Sequence, residues 1–336
     1  VLPAGAPAAP TGVDPAAPRR PRSRSGDLLA GLLAVVLVLY LLRPAVFEAP
    51  ALRAWSTVFV AVCLQALPFL VIGVLLSAAI SAFVPPSFFQ QALPRRAGLA
   101  VPVAGLSGAV LPGCECASVP VAGSLVRRGV PPAAAFAFLL SAPAINPIVL
   151  VATAVAFPGE PMMTLARFVA SLLVALLVGW LWAAFGRGEW LRPPRRPVPS
   201  PDAGKAGTFR DSAQHDLVHA GGFLVVGGLT AATLNVVVPR AWLESVAASP
   251  VLSILVLALL AVVLAICSEA DAFVAASLTS FSLTSRLVFL VVGPVVDVKL
   301  VALQSGTFGR RFAVRFAPVT FLVAVTVAVA VGWLLL

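Results

Sequence analysis

From Phe316 to Leu336 the chain reads FAPVTFLVAVTVAVAVGWLLL, without one charged side chain. About 20 such residues are what an α-helix needs to cross the hydrocarbon of a bilayer, and several comparable runs precede this one. The constraint removes most folds at once. In lipid every backbone N–H and C=O must find its partner inside the structure, so helices are expected throughout. Composition agrees: of 336 residues, 60% are hydrophobic and 11% charged, and the mean hydropathy is +1.03, whereas a soluble domain carries roughly 25% charged residues. The net charge is +10, but the basic residues gather in loops and tails, which is a pattern of membrane topology rather than of nucleic-acid binding. Cys63, Cys114, Cys116 and Cys267 all fall in apolar segments and form no disulfide framework.

Composition also divides the chain. Residues 1–26, rich in Pro, Ala and Arg, read as a disordered basic cytoplasmic tail, followed over 27–53 by a first transmembrane helix (28–42) and a loop. Residues 187–212 form a basic, Pro-rich linker, expected in the cytoplasm. The segments it joins, 54–186 and 213–336, resemble one another. FLVIGVLLSA (69–78) aligns with FLVVGGLTAA (223–232), CECASVPVAGSL (114–125) with CSEADAFVAASL (267–278), and FLLSAPAINP (138–147) with FLVVGPVVDV (289–298), always in the same order and at nearly the same offset.

Charge tests the topology. With the N-terminal arginines in the cytoplasm, helix 28–42 leads out and helix 54–84 returns. A full crossing by 99–126 would then put Arg127, Arg128 and ultimately the basic linker outside, against the positive-inside bias. If 99–126 instead enters and turns back, and 250–281 does the same from the other side, every basic cluster stays inside, Arg310, Arg311 and Arg315 included. Nine ordinary spans are the alternative. The expected fold is therefore an all-α polytopic membrane protein of two inverted-topology repeats. Each repeat carries a re-entrant broken-helix hairpin (about 99–126 and 250–281), and one extra N-terminal helix precedes them. The N-terminus is expected in the cytoplasm and the C-terminus outside. This architecture is that of secondary transporters.

The hairpin tips hold the chemistry. At the first, PGCECASVP (112–120), Pro112, Gly113 and Pro120 break the helix around Cys114, Glu115 and Cys116, with Ser118 a few residues on. The second carries Cys267, Ser268, Glu269 and Asp271. Irregular backbone at membrane depth survives only inside protein or against a water-filled cavity, so the tips are expected to meet between the repeats. Asn146, in the break Pro143-Ala-Ile-Asn-Pro147, and its counterpart Asp297 are expected to line the same cavity. An ionisable group at bilayer depth needs a partner or a ligand. Glu269, Asp271 and Asp297 read as coupling or ion-pair residues, with Lys299 neutralising one of the acids. Thiolates select soft metals and metalloids, so Cys114, Cys116 and Glu115 are candidate metal ligands and Cys267 a third thiol. The rival readings are packing for the tip and a purely structural ion pair for the acids. Packing is the simpler role for Cys63, and a flanking polar face for Asp211, His215 and His219. The tryptophans at helix ends read as interface anchors.

PGCECASVPVAGSLVRRG followed by FLLSAPAINPIVLVAT resembles the signature of the predicted bacterial permease family that includes the organoarsenical efflux permeases, over roughly 54–336. The resemblance implies a multi-pass plasma-membrane (inner-membrane) permease whose characterised relatives export trivalent organoarsenicals, with membrane cysteines implicated, and which in some cases is encoded beside an accessory permease subunit. This chain departs from the commoner family tip, nearer Cys-Ser-Cys-Gly, in carrying Glu115 and Ala117, a change that suits a cation such as Zn²⁺.

The function expected is export of a soft metal ion, metalloid or organoarsenical by a proton-coupled secondary permease. A passive channel or facilitator, a membrane thiol enzyme, and a scaffold subunit of a two-component permease are the alternatives. No G-x-x-x-x-G-K-[ST] motif offers ATP hydrolysis. The expected partners are the lipid bilayer, a small inorganic or organometallic substrate and an accessory permease subunit. No cofactor, nucleic acid or enzymatic activity is expected.

Overall fold

A computed structural model describes residues 50–83, 94, 97–110, 115–191, 204–237 and 249–336. The tail 1–26, the helix expected at 28–42, residues 192–203 of the linker and the Pro112-Gly113-Cys114 part of the first tip lie outside the described residues. The chain divides into a short unit, Val1–Arg53, and a main body, Ala54–Leu336. Of the first unit only 50–53 are described, as the opening turn of the first helix.

Among the described residues twelve α-helices and no strands occur: α1 (Pro50–Phe83), α2 (Ala97–Ser107), α3 (Glu115–Arg127), α4 (Pro132–Ile145), α5 (Pro147–Ala156), α6 (Pro161–Phe185), α7 (Lys205–Val237), α8 (Pro250–Leu264), α9 (Ser268–Ser277), α10 (Leu283–Val292), α11 (Val298–Phe308) and α12 (Arg310–Leu335). Proline opens α4, α5, α6 and α8. It lacks the N–H that a first turn leaves unpaired anyway, and its φ is already helical.

Among the described residues five spans are long and apolar enough to cross a membrane: Pro50–Phe83, Pro132–Ala156, Pro161–Phe185, Lys205–Thr233 and Arg310–Leu335. The second of these is α4 and α5 end to end. The helices over the two expected hairpins are short, with 11 residues in α2, 13 in α3, 15 in α8 and 10 in α9. None reaches the roughly 20 residues of a crossing. The apolar run over 286–307 is likewise divided, into α10 and α11.

At both breaks the side chain caps the helix that follows. Asn146, preceding Pro147, is extended at φ −66°, ψ 154°, the conformation that a following proline enforces. Its Oδ1 accepts from Val149 N–H at 3.0 Å and its Nδ2 donates to the Ala142 carbonyl at 3.0 Å. One amide thus serves the loose donors of α5 and the loose acceptors of α4. Asp297, after the turn holding Pro294, is extended at φ −139°, ψ 168° and accepts from Leu300 N–H at 2.5 Å. The residues aligned by the repeat do the same local job.

The packing follows the repeat as well. α4 rests on α2, α3 and α6, and α10 rests on α8, α9 and α12. α6 packs on α12, α5 on α9, and α11 on α3. Residues 133–146 of α4 and its break are buried throughout, as are 287–297 of α10 and its break. The long helices turn Leu, Val and Ile outward, Leu64, Ile72, Leu322 and Val151 among them, as lipid-facing surfaces do. At one end Phe136 packs between Trp182 and Phe312, with ring centroids at 4.8 Å from each.

α1 approaches the first tip through a glycine. A Cβ at Gly73 would stand 2.5 Å from Ala117 Cα and 2.8 Å from its carbonyl oxygen. Gly73→Ala is therefore expected to destabilise the folded protein by about 1–3 kcal/mol, read as a lower Tm in detergent. Gly221→Ala, where a Cβ meets nothing within 4 Å, is expected to leave the Tm unchanged or slightly raised.

Candidate functional site

Four helix starts carry the polar chemistry. α3 begins at Glu115 and is buried from Glu115 to Ser124. α9 begins at Ser268 after a bend in which Ala265 takes the left-handed conformation (φ 49°, ψ 42°) and Cys267 is extended. The unpaired N–H groups of a first turn favour negative charge, and the acids sit there: Glu115 on α3, and Glu269 and Asp271 on α9. α5 and α11 start at the Asn146 and Asp297 breaks.

Two buried ion pairs tie these starts together. Lys299, in the first turn of α11, places Nζ 2.5 Å from Glu115 Oε1 and 3.4 Å from the Ala265 carbonyl. Arg167, on α6, donates from Nη2 to both carboxylate oxygens of Asp271 at 2.9 Å and to the Ser268 carbonyl at 3.1 Å. Its Nη1 donates to Thr153 Oγ1 on α5 at 2.8 Å. The pairs are linked, since Ser268 Oγ donates to Glu115 Oε2 at 3.3 Å. Glu115, Arg167 and Asp297 are 0% exposed, Lys299 1% and Asp271 2%, so no charge in the pairs is solvated by bulk water. Asp297 Oδ2 stands 3.9 Å from Lys299 Nζ and accepts no hydrogen bond among the described residues. Glu269 feels Glu115, Arg167 and Lys299 and is the half-buried acid of the group. Cys116 and Cys267, both buried, lie within electrostatic reach of Lys299.

The structure thus brings together Glu115, Cys116, Cys267, Ser268, Glu269, Asp271, Asp297 and Lys299, each singled out in the sequence. Cys114 lies outside the described residues. Ser118 is buried on α3 but turns its hydroxyl back to the Glu115 carbonyl at 3.1 Å, and Asn146 is occupied in bridging α4 and α5. Cys63 sits half-buried on α1. Asp211 and His215 lie on α7. Arg167 and Thr153 complete the group unannounced. The signal for Arg167 was one arginine inside an otherwise apolar helix, the kind of residue that needs a partner at depth.

Of the expected metal ligands Cys114, Cys116 and Glu115, the first lies outside the described residues. Among the described residues no three His, Cys, Asp or Glu side chains gather to hold a metal ion, and Glu115 has one oxygen on Lys299 and the other on Ser268. Four carboxylates face two cations here, so the formal charge is −2 (two positive less four negative). Cation and carboxylate can separate only if something else takes their place, because removing one partner of a buried pair costs about 3–5 kcal/mol.

Comparison with known proteins gives the family. The family model described as a predicted permease matches residues 51–333. The UPF0718 protein YcgR of Bacillus subtilis (strain 168) is 35% identical over 282 residues, 81% of this chain and 94% of that protein. A Streptococcus mutans serotype c (strain ATCC 700610 / UA159) protein named "Putative two-component membrane permease complex subunit" is 30% identical over 282 residues, 82% of this chain and 94% of that one. No solved structure matches. With its long apolar helices and a match covering most of its length, the chain belongs to the predicted permease family.

Proposed function

We propose that this chain is a proton-coupled secondary permease of the inner membrane that exports a thiophilic metal ion, metalloid or organoarsenical. The carrying observation is that the two hydrogen-bonded buried ion pairs, Glu115–Lys299 and Arg167–Asp271, cross between the repeat segments. Glu115 and Arg167 belong to 54–186, Lys299 and Asp271 to 213–336. Any rocking of one half against the other must break or re-form them. In this reading the halves are inverted repeats, and α2–α3 and α8–α9 are re-entrant hairpins whose tips meet at the substrate. The short lengths of those four helices and the exchange-related packing support it.

The substrate class follows from the donors. Cys116 and Cys267 come from equivalent helix starts to one lysine, and Cys114 is two residues from Cys116 in sequence. A thiophilic cation entering between the thiols binds them as thiolates, and the displaced protons leave by way of the neighbouring carboxylates Asp297 and Glu269. Substrate and proton then compete for the same thiols, which is what exchange requires. The half-buried Glu269 is the entry point for protons. A subunit role in a two-component complex is the second reading, favoured by the name of the Streptococcus mutans relative.

The purified chain, screened for thermal stability against Zn²⁺, Cu⁺, Cd²⁺, arsenite and a trivalent methylarsenical, should be stabilised by one of them. A ligand at 100 times its Kd contributes about 2.7 kcal/mol. The Cys116→Ser/Cys267→Ser double variant should lose that shift while keeping its unliganded Tm. A shift that survives the double variant would remove the thiols from the site.

In proteoliposomes carrying the ligand so identified, transport should respond to an imposed pH gradient, and Asp297→Asn should transport at a rate independent of the gradient. Equal wild-type rates with and without the gradient would make the protein a facilitator.

A further inference from the structure

Away from the ion pairs, the end of α6, the 3₁₀ turn Gly188–Trp190 and the first half of α12 enclose a cavity of about 570 Å³. Its walls are apolar and aromatic, with Trp182, Phe185, Trp190 and Phe316 foremost. Phe185, Val314 and Val319 are exposed on its outer side, so it opens along the surface that the long helices turn to lipid. Among the described residues that line it, Arg315 alone is charged, and its guanidinium carbon sits 4.9 Å from the Trp190 ring centroid. Arg311, one turn earlier on α12, shares that face, and Arg187 precedes the 3₁₀ turn. Both are exposed, and so are Arg310 and Arg315. Glu189 is the one acid in the same stretch. The charge on the lining is therefore the Arg315 cation, with Arg311 on the same face of α12, and the interior is hydrocarbon-like.

We propose that this cavity binds one anionic phospholipid, with an acyl chain between Trp182, Phe185 and Val319 and the phosphate at Arg315. A soluble anion has no use for the apolar walls, and a neutral hydrocarbon has none for the arginines. Only an amphiphile with a negative head meets both. Aromatic rings with an adjoining arginine are also the side chains that settle at the depth of lipid headgroups. Pro318 adds a polar detail. It has no N–H to give the Val314 carbonyl four residues back, and both residues line the cavity, so a headgroup hydroxyl finds an acceptor there. Phosphatidylglycerol combines the charge with such hydroxyls.

The test is native mass spectrometry of the full chain in detergent, titrated with phosphatidylglycerol and phosphatidylcholine of matched acyl chains. One phosphatidylglycerol should be retained in preference to phosphatidylcholine. Arg315→Gln should weaken that preference about fivefold, the share of one arginine at a lipid headgroup. Val319→Trp, which fills the cavity from its exposed side and leaves the arginines in place, should abolish the retained lipid. Unliganded melting curves report whether each variant folds, and either variant alone suffices. Equal retention of the two lipids, an unchanged preference in Arg315→Gln, or full retention in Val319→Trp would each overturn the assignment.

Discussion

The Glu115–Lys299 contact is what the rest of the site is arranged around. Two fully buried charges at the start of two short helices carry a desolvation penalty that mutual attraction repays only with good geometry and further hydrogen bonds. The surroundings supply them. Ser268 covers the second carboxylate oxygen and the Ala265 carbonyl the lysine. The left-handed turn at Ala265 aims that carbonyl, and the start of α3 adds its partial positive charge on the side of Glu115. Each of these features is a departure from regular helix, and regular helix could not host the pair. An unbroken span keeps its N–H groups for itself and presents no first turn to a carboxylate.

How much of this could be read from the sequence depends on the range of each interaction. Local features were legible. The Asn-Pro pair at 146–147 announces a break, because proline fixes the residue before it and the amide can cap the next helix. Its alignment with Asp297 predicts a second break, and both occur. The Cys-Glu-Cys tip declares a buried carboxylate in need of a cation. Which cation answers is set by contacts far apart along the chain. Lys299 is 184 residues from Glu115, and Arg167 is 104 from Asp271, and no periodicity encodes either pairing. Glu115 therefore reads as a free metal ligand in the sequence, whereas both its oxygens are engaged in the fold. Arg167 passes as one residue of an apolar helix, though charge at that depth is itself a signal.

The two aligned segments share their breaks but not their charges. At the offset that aligns Asn146 with Asp297, the counterpart of Lys299 is Ile148, which is 48% exposed where Lys299 is 1%. The counterpart of Arg167 is Pro318 on α12, and neither repeat retains the other's cation. A symmetric dimer-like ancestor would place each cation twice. The present chain places each once, so that both of these buried pairs join opposite halves. A pair within one half would stiffen that half and report nothing of its motion. A pair across the halves has its strength tied to their relative position, and at about 3–5 kcal/mol for an exposed break it is large enough to hold one arrangement against thermal fluctuation. It is also small enough for either a bound ligand or protons to replace. That balance is the physical argument for the proposed substrate site at the pairs rather than elsewhere along the bundle.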